Sequence, residues 1–520
     1  MTFGQLLNLV CSAGSKVTIR SDSRKVEKGD VFVAIRGTAF DGHDFIDHAL
    51  ARGAKYVVCQ RPHTLPLEHE ACSFPGTSFG LGLQTGNRCA IPNAEHEIIV
   101  VEDSAEAAAL LAQAHRGNPA LQLTNLAVTG TNGKTTVAFL VRSVIQTAGE
   151  RCGLIGTIFY DTGLATSEAP LTTPDCLAIA EKQAQMLKAG ARYMVVEASS
   201  HALSQNRLAA VPFKAAAFTN LGGDHLDYHK TKQNYLTAKT RLFEALSPDA
   251  SAVLNKESPE AIPIARATNA KTLWYAVDSP AHLRAHIEST DITGTVFTLE
   301  YAGQRETVKT SLLGRHNVSN SLAAAGLCLA AGFDLETIAA GLSALQTIPG
   351  RLEKIDCKGD FSGALESDRR PLGRPTVIVD YAHTDDALKN VLSTLRPLCN
   401  AKLVVVFGCG GDRDRTKRPR MARAAEDLAD FVIVTSDNPR TERPEDIIND
   451  IVAGFQDPKS QRIVVEPDRR KAIESAIKNA SENDIVLIAG KGHETYQIIG
   501  KQKFSFNDKQ IAREYLVKSG

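Results

Sequence analysis

Short apolar runs closed by polar loops recur along the chain, and the elements they predict change from one end to the other. Near the start, "GDVFVAIRG" (Gly29–Gly37) and "AKYVVCQ" (Ala54–Gln60) read as short strands bounded by glycine and polar residues. At Asp103 an acid follows three residues on at Glu106, an N-cap pattern that predicts a helix running to Gly117, with Pro119 as its stop. The run "LTNLAVTG" then reads as a strand. Past a glycine-rich turn, Val137, Leu140, Val141, Val144 and Ile145 repeat on one helical face. Beyond Ile348 come "TVIVDYAHT", "LVVVFGCGGDRD", "FVIVTSDNPR" and "DIVLIAGKGHE", each an apolar run ending in a polar loop, with helical patterns between them. Unbroken Val/Ile/Leu runs interleaved with helices predict a parallel sheet covered on both faces. Ligands of such sheets collect beyond the carboxyl ends of the strands, where all four loops would lie.

This punctuation divides the 520 residues into three blocks, 1–102, 103–349 and 350–520, within the two to four domains that the length allows. The class is α/β. Two stretches, 61–95 and 357–375, are rich in Pro, Gly and polar residues and read as insertions. Lys+Arg and Asp+Glu are both 59, so the neutral chain advertises no polyanion, and nucleic acid or an anionic membrane is a poor partner. Ten cysteines lie scattered without a C-x-x-C pair, which favours reduced thiols over disulfides or a zinc site. No apolar run approaches the ~18 residues of a membrane span. A soluble, cytoplasmic protein is expected.

The chemistry begins at "AVTGTNGKTT" (Ala127–Thr136), between a predicted strand and a predicted helix. Glycines let backbone N–H groups wrap a phosphate, Lys134 supplies a charge, and the Thr135 hydroxyl suits Mg²⁺. The usual glycine six residues before the lysine is Val128 here, so the loop is a shortened G-x-x-G-K-T. Other strands end in "EASSHALSQNRL" (Glu197–Leu208) and "TNLGGDHLDYHKT" (Thr219–Thr231). Glu197 and His225 suit a second Mg²⁺; a buried histidine bonded to a carboxylate is the alternative. His201 is a candidate general base against a structural role, Cys409 reads as small filler, and Lys239, on spacing alone, as a solvated helix lysine. The tetrapeptide Asp437-Asn438-Pro439-Arg440 is either an ordinary polar turn or a grip on a zwitterion.

Together, "GTNGKTT", "EASSHAL", "TNLGGDHLDYH", "AKTRLF", "GRHNVSN", "PGRLE" and "DYAHT" resemble the Mur ligase family, ATP-dependent enzymes that add amino acids to the peptidoglycan precursor. "SDSRKVEKGDVFVAIRG", "GCGGDRDRTKRP", "DNPR" and "GKGHE" are similar to the members that add meso-2,6-diaminopimelate to UDP-N-acetylmuramoyl-L-alanyl-D-glutamate. The resemblance implies a small N-terminal α/β domain for the UDP end (1–102), a central phosphate-loop ATPase with a mostly parallel sheet (103–349) and a C-terminal Rossmann-like domain for the amino acid (350–520). It implies a bacterial, monomeric, cytoplasmic enzyme using ATP and Mg²⁺. Ser23 would lie by the uracil, and Thr172, Thr173, Ser199, Gln205 and Arg207 would hold the muramoyl-dipeptide. Gly130, Thr131, Asn132, Gly133, Lys134, Thr135 and Thr136 would hold ATP phosphates, with Asn317 and Asn320 by the adenine. Arg351, Asp380, Tyr381 and His383 would meet the nucleotide from the third domain. Lys239 matches the family's carbamylated lysine, and as a carbamate would join Thr135, Glu197 and His225 as a metal ligand. Arg413, Asp437, Asn438, Pro439, Arg440, Gly490 and Glu494 would form the amino-acid pocket.

The chain departs from the family pattern at Gly222-Gly223, where Ser-Arg is usual, at Asp385, where proline is typical, and in "HNVSN". A lysine-adding ligase of the same family is the nearest alternative, though a small neutral residue in place of Arg440 would suit lysine better. A phosphate-loop NTPase that drives motion or partner binding is the more distant one.

Overall fold

The computed structural model describes residues 1–12, 17–37, 40–61, 96–356 and 374–518, so nearly all of both expected insertions lies outside the described residues. Three sheets follow one another along the chain. In the first, Ile19–Arg20, Val31–Val33, Tyr56–Cys59 and Glu97–Val100 pair in chain order, all parallel. Alternate residues serve opposite faces. Val31, Val33 and Val58 pack under the helices Phe3–Cys11 and Ser104–His115, while Phe32, Val57 and Cys59 pack on Ile46–Ala51. Asp103 caps its helix as expected, its carboxylate accepting from the N–H groups of Ala105 and Glu106.

The second sheet has eleven strands. Its parallel centre runs in the spatial order Lys271–Ala276, Ser251–Asn255, Phe213–Phe218, Thr124–Thr129, Tyr193–Glu197 and Cys152–Ile155. The helix Lys134–Thr147 covers one face with Val137, Leu140, Val141, Val144 and Ile145, all fully buried, as the periodicity predicts. Both margins are antiparallel: Phe159–Asp161 and Thr166–Glu168 extend one, and Leu283–Asp291, Gly294–Tyr301 and Gln304–Thr310 form a meander at the other.

In the third sheet the order is Glu353–Lys354, Thr376–Asp380, Ile485–Ala489, Leu403–Phe407, Phe431–Val434 and Ile463–Val465. The four apolar runs singled out in the sequence are its centre and are mutually parallel; only Glu353–Lys354 runs against them. Cores on both faces confirm the covered parallel sheet. A two-stranded hairpin, Tyr496–Ile499 with Gln502–Ser505, stands apart.

Candidate active site

Carboxyl ends of strands from the second and third sheets face a common cleft of about 450 Å³. The loop Thr131–Thr136 forms its floor. Gly130 (φ +148°) and Gly133 (φ +91°) adopt left-handed backbone, and a Cβ on either would meet Thr219 Oγ1 at 1.9 Å or Asn320 Oδ1 at 2.3 Å. Neighbouring strand ends prop the loop: the Asn132 N–H donates to Asn220 Oδ1 at 3.0 Å, and Thr219 Oγ1 donates to the Asn132 carbonyl at 2.6 Å. Lys134 Nζ rests on the carbonyls of Gly130 (3.0 Å) and Thr131 (2.9 Å), and burial draws its pKa down.

Glu197, 1% exposed, organises the next layer. Its Oε2 accepts from the hydroxyls of Thr135 and Thr157, each at 2.9 Å, and its Oε1 accepts from the Thr157 N–H at 2.8 Å. Thr157, which the sequence reading missed, also pairs its hydroxyl with Thr172 at 3.1 Å. His225 lines the cleft with a backbone φ of 57° and its Nε2 3.5 Å from Asp224; desolvation lowers its pKa to about 4 against the pull of Asp224. Lys239 is not the solvated lysine of the spacing argument. It is 1% exposed, donates to the Gly130 carbonyl at 2.8 Å and lies 4.3 Å over the Tyr235 ring. It forms no ion pair among the described residues, and burial holds its pKa well below that of a free amine. His201 stacks on Tyr228 at 4.1 Å and its pKa is lowered by burial.

The third block closes the cleft. Arg351 Nη2 donates to Thr135 Oγ1 at 3.2 Å, and its guanidinium lies 4.9 Å from the Tyr381 ring. Asp380 accepts from the N–H groups of Leu352 and Ala382, both at 2.7 Å, and Tyr381 and His383 line the same space. Asn317 and Asn320 bond one another at 3.0 Å on the opposite wall.

The remaining expected residues fall into two groups. Thr172 and Ser199 line the cleft, and Thr173, Gln205 and Arg207 adjoin them: Thr173 Oγ1 bonds Ser199 Oγ at 3.0 Å, and Arg207 donates to Gln205 Oε1 (2.7 Å) and the Thr173 carbonyl (2.8 Å). Ser23 is not a lining residue; it is buried in the first block with its hydroxyl 3.0 Å from His48 Nδ1. The amino-acid candidates make their own cluster at the ends of strands Phe431–Val434 and Ile485–Ala489. Asp437 and Asn438 are buried, Asn438 Nδ2 donates to Glu494 Oε2 at 3.0 Å, and a Cβ on Gly490 would meet Asp437 at 2.7 Å. Arg440 has φ +52°, an uncommon conformation for a non-glycine residue, and Nη1 donates to the Gly411 carbonyl at 2.8 Å. Arg413 is exposed and, among the described residues, bonds only the Asp412 carbonyl, at 3.1 Å. Lys491, inside the quoted "GKGHE" yet not singled out from the sequence, lies fully buried between Asp437 and Glu494. Cys409 is buried against Met421, its thiol pKa raised to about 12, and is filler as expected.

Comparison with known proteins agrees with this layout. Family models match in three parts: the Mur ligase family catalytic domain at residues 17–116, the Mur ligase middle domain at 128–328, and the Mur ligase glutamate ligase domain at 368–492. A UDP-N-acetylmuramoyl-L-alanyl-D-glutamate--2,6-diaminopimelate ligase of Geobacillus kaustophilus is 39% identical over 510 residues, 97% of this chain and 95% of that protein. Its counterpart of the same name in Gloeobacter violaceus is 41% identical over 501 residues, covering 96% and 94%. A solved structure of a ligase of that name superposes with a TM-score of 0.63 at 33% identity, over 96% of this chain and 94% of the other. The MurF ligase of Thermotoga maritima, solved with ADP, shares the fold at 18% identity, with a TM-score of 0.58 over 98% and 97% of the two chains. With all three sheets matched in order, and relatives this similar over nearly the whole length, the chain belongs to the Mur ligase family.

Proposed function

We propose that this chain is an ATP-dependent amide ligase joining meso-2,6-diaminopimelate to the D-glutamate γ-carboxylate of UDP-N-acetylmuramoyl-L-alanyl-D-glutamate. The observation that carries the reading is the cleft, in which a phosphate-cradling loop opens toward Thr172 and Ser199 on one side and Arg351 on the other. Relatives named for this reaction support the choice of substrates.

A carboxylate cannot be aminated directly, because its oxide is a poor leaving group. In the proposed route a γ-carboxylate oxygen attacks the terminal phosphorus of ATP, and the bond to the bridging oxygen breaks to release ADP. The amine then attacks the acyl carbon and loses a proton, and phosphate leaves with the carboxylate oxygen. The N–H groups of Gly133, Lys134, Thr135 and Thr136 and the Lys134 ammonium hold phosphate oxygens, Gly130, Thr131 and Asn132 shape the loop around them, and Arg351 meets the developing charge as the third block closes. Asn317 and Asn320 face the base, with Asp380, Tyr381 and His383 closing over the nucleotide. Ser23, Thr172, Thr173, Ser199, Gln205 and Arg207 hold the UDP-dipeptide. Arg413, Asp437, Asn438, Pro439, Arg440, Gly490 and Glu494 receive diaminopimelate, with the Arg440 guanidinium suited to its distal carboxylate.

Thr135, Glu197 and His225 would hold Mg²⁺, a hard cation suited to hydroxyl and carboxylate oxygens, and all three line the cleft. When bound, Mg²⁺ supplies charge neutralisation along the phosphates. Lys239, with its pKa held low by burial, suits carbamylation, since only an uncharged amine adds CO₂. Free thiols at all seven described cysteines fit a cytoplasmic setting.

ADP release in the presence of the UDP-dipeptide, with diaminopimelate, lysine, ornithine or no amino acid, tests the reading. Turnover is expected on diaminopimelate. Faster turnover on lysine would make this the lysine-adding ligase, and turnover with no amino acid would leave only an NTPase.

A further inference from the structure

Lys491 has no part in the reading above, yet its surroundings set the chemistry of the amino-acid pocket. It is fully buried. Its Nζ donates to Asn438 Oδ1 at 2.9 Å and to the Tyr496 carbonyl at 2.8 Å, and lies 3.5 Å from Asp437 Oδ1 and 3.6 Å from Glu494 Oε2. The Ile498 N–H also donates to Asn438 Oδ1, at 2.9 Å. A lysine ammonium and a backbone N–H are donors only, so both face the oxygen of the Asn438 amide and occupy both its lone pairs. Flipping the amide would set its NH₂ against two donors and leave buried groups unpaired. The Asn438 nitrogen therefore points the other way, giving one hydrogen to Glu494 Oε2 at 3.0 Å, with no acceptor for the second among the described residues.

Resting on the ligase reading, we infer that Lys491 is a positioning residue for amino-acid selection. It holds Asn438 so that only an N–H donor meets the incoming amino acid, which biases the pocket toward a ligand carrying a second carboxylate. The same ammonium offsets one of the two carboxylates, Asp437 and Glu494, leaving the other's charge for a ligand ammonium. Arg469, fully buried, pairs with Asp508 at 2.7 Å and also acts on Asp437 from the far side, but the pair it forms with Asp508 is neutral as a whole. The pocket thus has a carboxylate pole at Asp437 and Glu494, and a donor pole at Arg440 and the Asn438 N–H. Lys491 also ties the hairpin Tyr496–Ile499/Gln502–Ser505 to the loop, and that hairpin fixes Arg440: the Arg440 N–H donates to the Ile498 carbonyl at 3.1 Å, and the Gly500 N–H to the Arg440 carbonyl at 2.7 Å.

The test is kcat/KM for diaminopimelate and for lysine, at saturating ATP and UDP-dipeptide, in the wild type, Lys491→Met, Lys491→Gln and Asn438→Asp. Lys491→Met is expected to cut the preference for diaminopimelate by about 30-fold, through KM, with the KM for ATP changed by less than about 2-fold. Lys491→Gln keeps an N–H donor for Asn438 and should recover most of the preference. Asn438→Asp keeps an acceptor for Lys491 but turns the donor that faces Glu494 into an oxygen, so the protein should lose some Tm and about 100-fold on diaminopimelate, now faced by a like charge. An unchanged preference in Lys491→Met, equal losses for ATP and diaminopimelate, or an Asn438→Asp protein that keeps its diaminopimelate turnover would each overturn the inference. If Lys491→Met does not fold, Asn438→Asp decides alone. A wild type idle on diaminopimelate would instead overturn the ligase reading.

Discussion

Lys239 and Lys491 are equally withdrawn from water, at 1% and 0% exposure, but keep opposite company. Lys239 has a backbone carbonyl and an aromatic face, with no ion pair among the described residues, and burial depresses its pKa strongly. Lys491 sits between two carboxylates and an amide oxygen. The difference extends to the regions around them. Beside the phosphate loop, Lys134, Lys239 and His225 face a shared cleft with few charged partners, as suits a site that phosphates and small groups complete. In the proposed amino-acid pocket, Asp437, Asn438, Glu494 and Lys491 hold one another in place, so a ligand would meet a fixed pattern of donors and acceptors. The first arrangement suits chemistry and the second suits choice.

Substitutions can break this comparison or sharpen it. The largest effect is expected from Lys134→Ala, which should lower kcat for ADP release by about 1000-fold. A loss near 10-fold would deny the loop its role. Lys239→Met should cost about 100-fold and abolish a carbamate signal in NMR spectra recorded with ¹³C-bicarbonate; the signal persisting in the variant would place the carbamate elsewhere. Arg440→Ala should reduce kcat/KM for diaminopimelate by about 50-fold with little change in the KM for ATP, since the lost bonds join charged groups. Equal losses on both substrates would erase the distinction between the regions. Thr157→Val removes the hydroxyl shared by Glu197 and Thr172 and should lower kcat by about 10-fold, with Thr157→Ser restoring it.

The smallest effect is on stability against pH. Burial lowers the pKa of His229 and of His316 from 6.5 to about 4. Below pH 6.5 the unfolded chain takes up protons that the folded protein refuses, so this contribution is complete above 6.5 and is lost as pH falls toward 4. Urea midpoints should decline across that window, less steeply in His316→Gln. A flat profile would show that neither ring is held neutral.

Much of this was legible in the sequence because local pattern and tertiary role coincide. The five apolar residues of the helix Lys134–Thr147 repeat at helical spacing and are all buried, and the four Val/Ile/Leu runs of the third block are the centre of a parallel sheet. The meander Leu283–Thr310 was missed although Thr295, Phe297 and Leu299 alternate inward; the second of its two turns is Ala302-Gly303, with φ of 49° and 83°, and alanine is a poor signal for a left-handed position. Lys239 read as solvated because periodicity along one helix says nothing of the loop packed across it. Thr157 and Lys491 went unnoticed for a similar reason. Each acts through partners distant in sequence, Glu197 and Thr172 for one, Asp437 and Asn438 for the other. Short motifs reveal loops that touch ligands more readily than the residues that hold those loops.

The central claim is that the cleft makes an acyl phosphate from the D-glutamate γ-carboxylate and does not merely hydrolyse ATP. UDP-dipeptide labelled with oxygen-18 in that carboxylate, turned over with ATP and diaminopimelate, tests it directly by mass spectrometry of the released phosphate. The account predicts one heavy oxygen in each phosphate released. Unlabelled phosphate alongside ADP would mean that water was the nucleophile, and would contradict it.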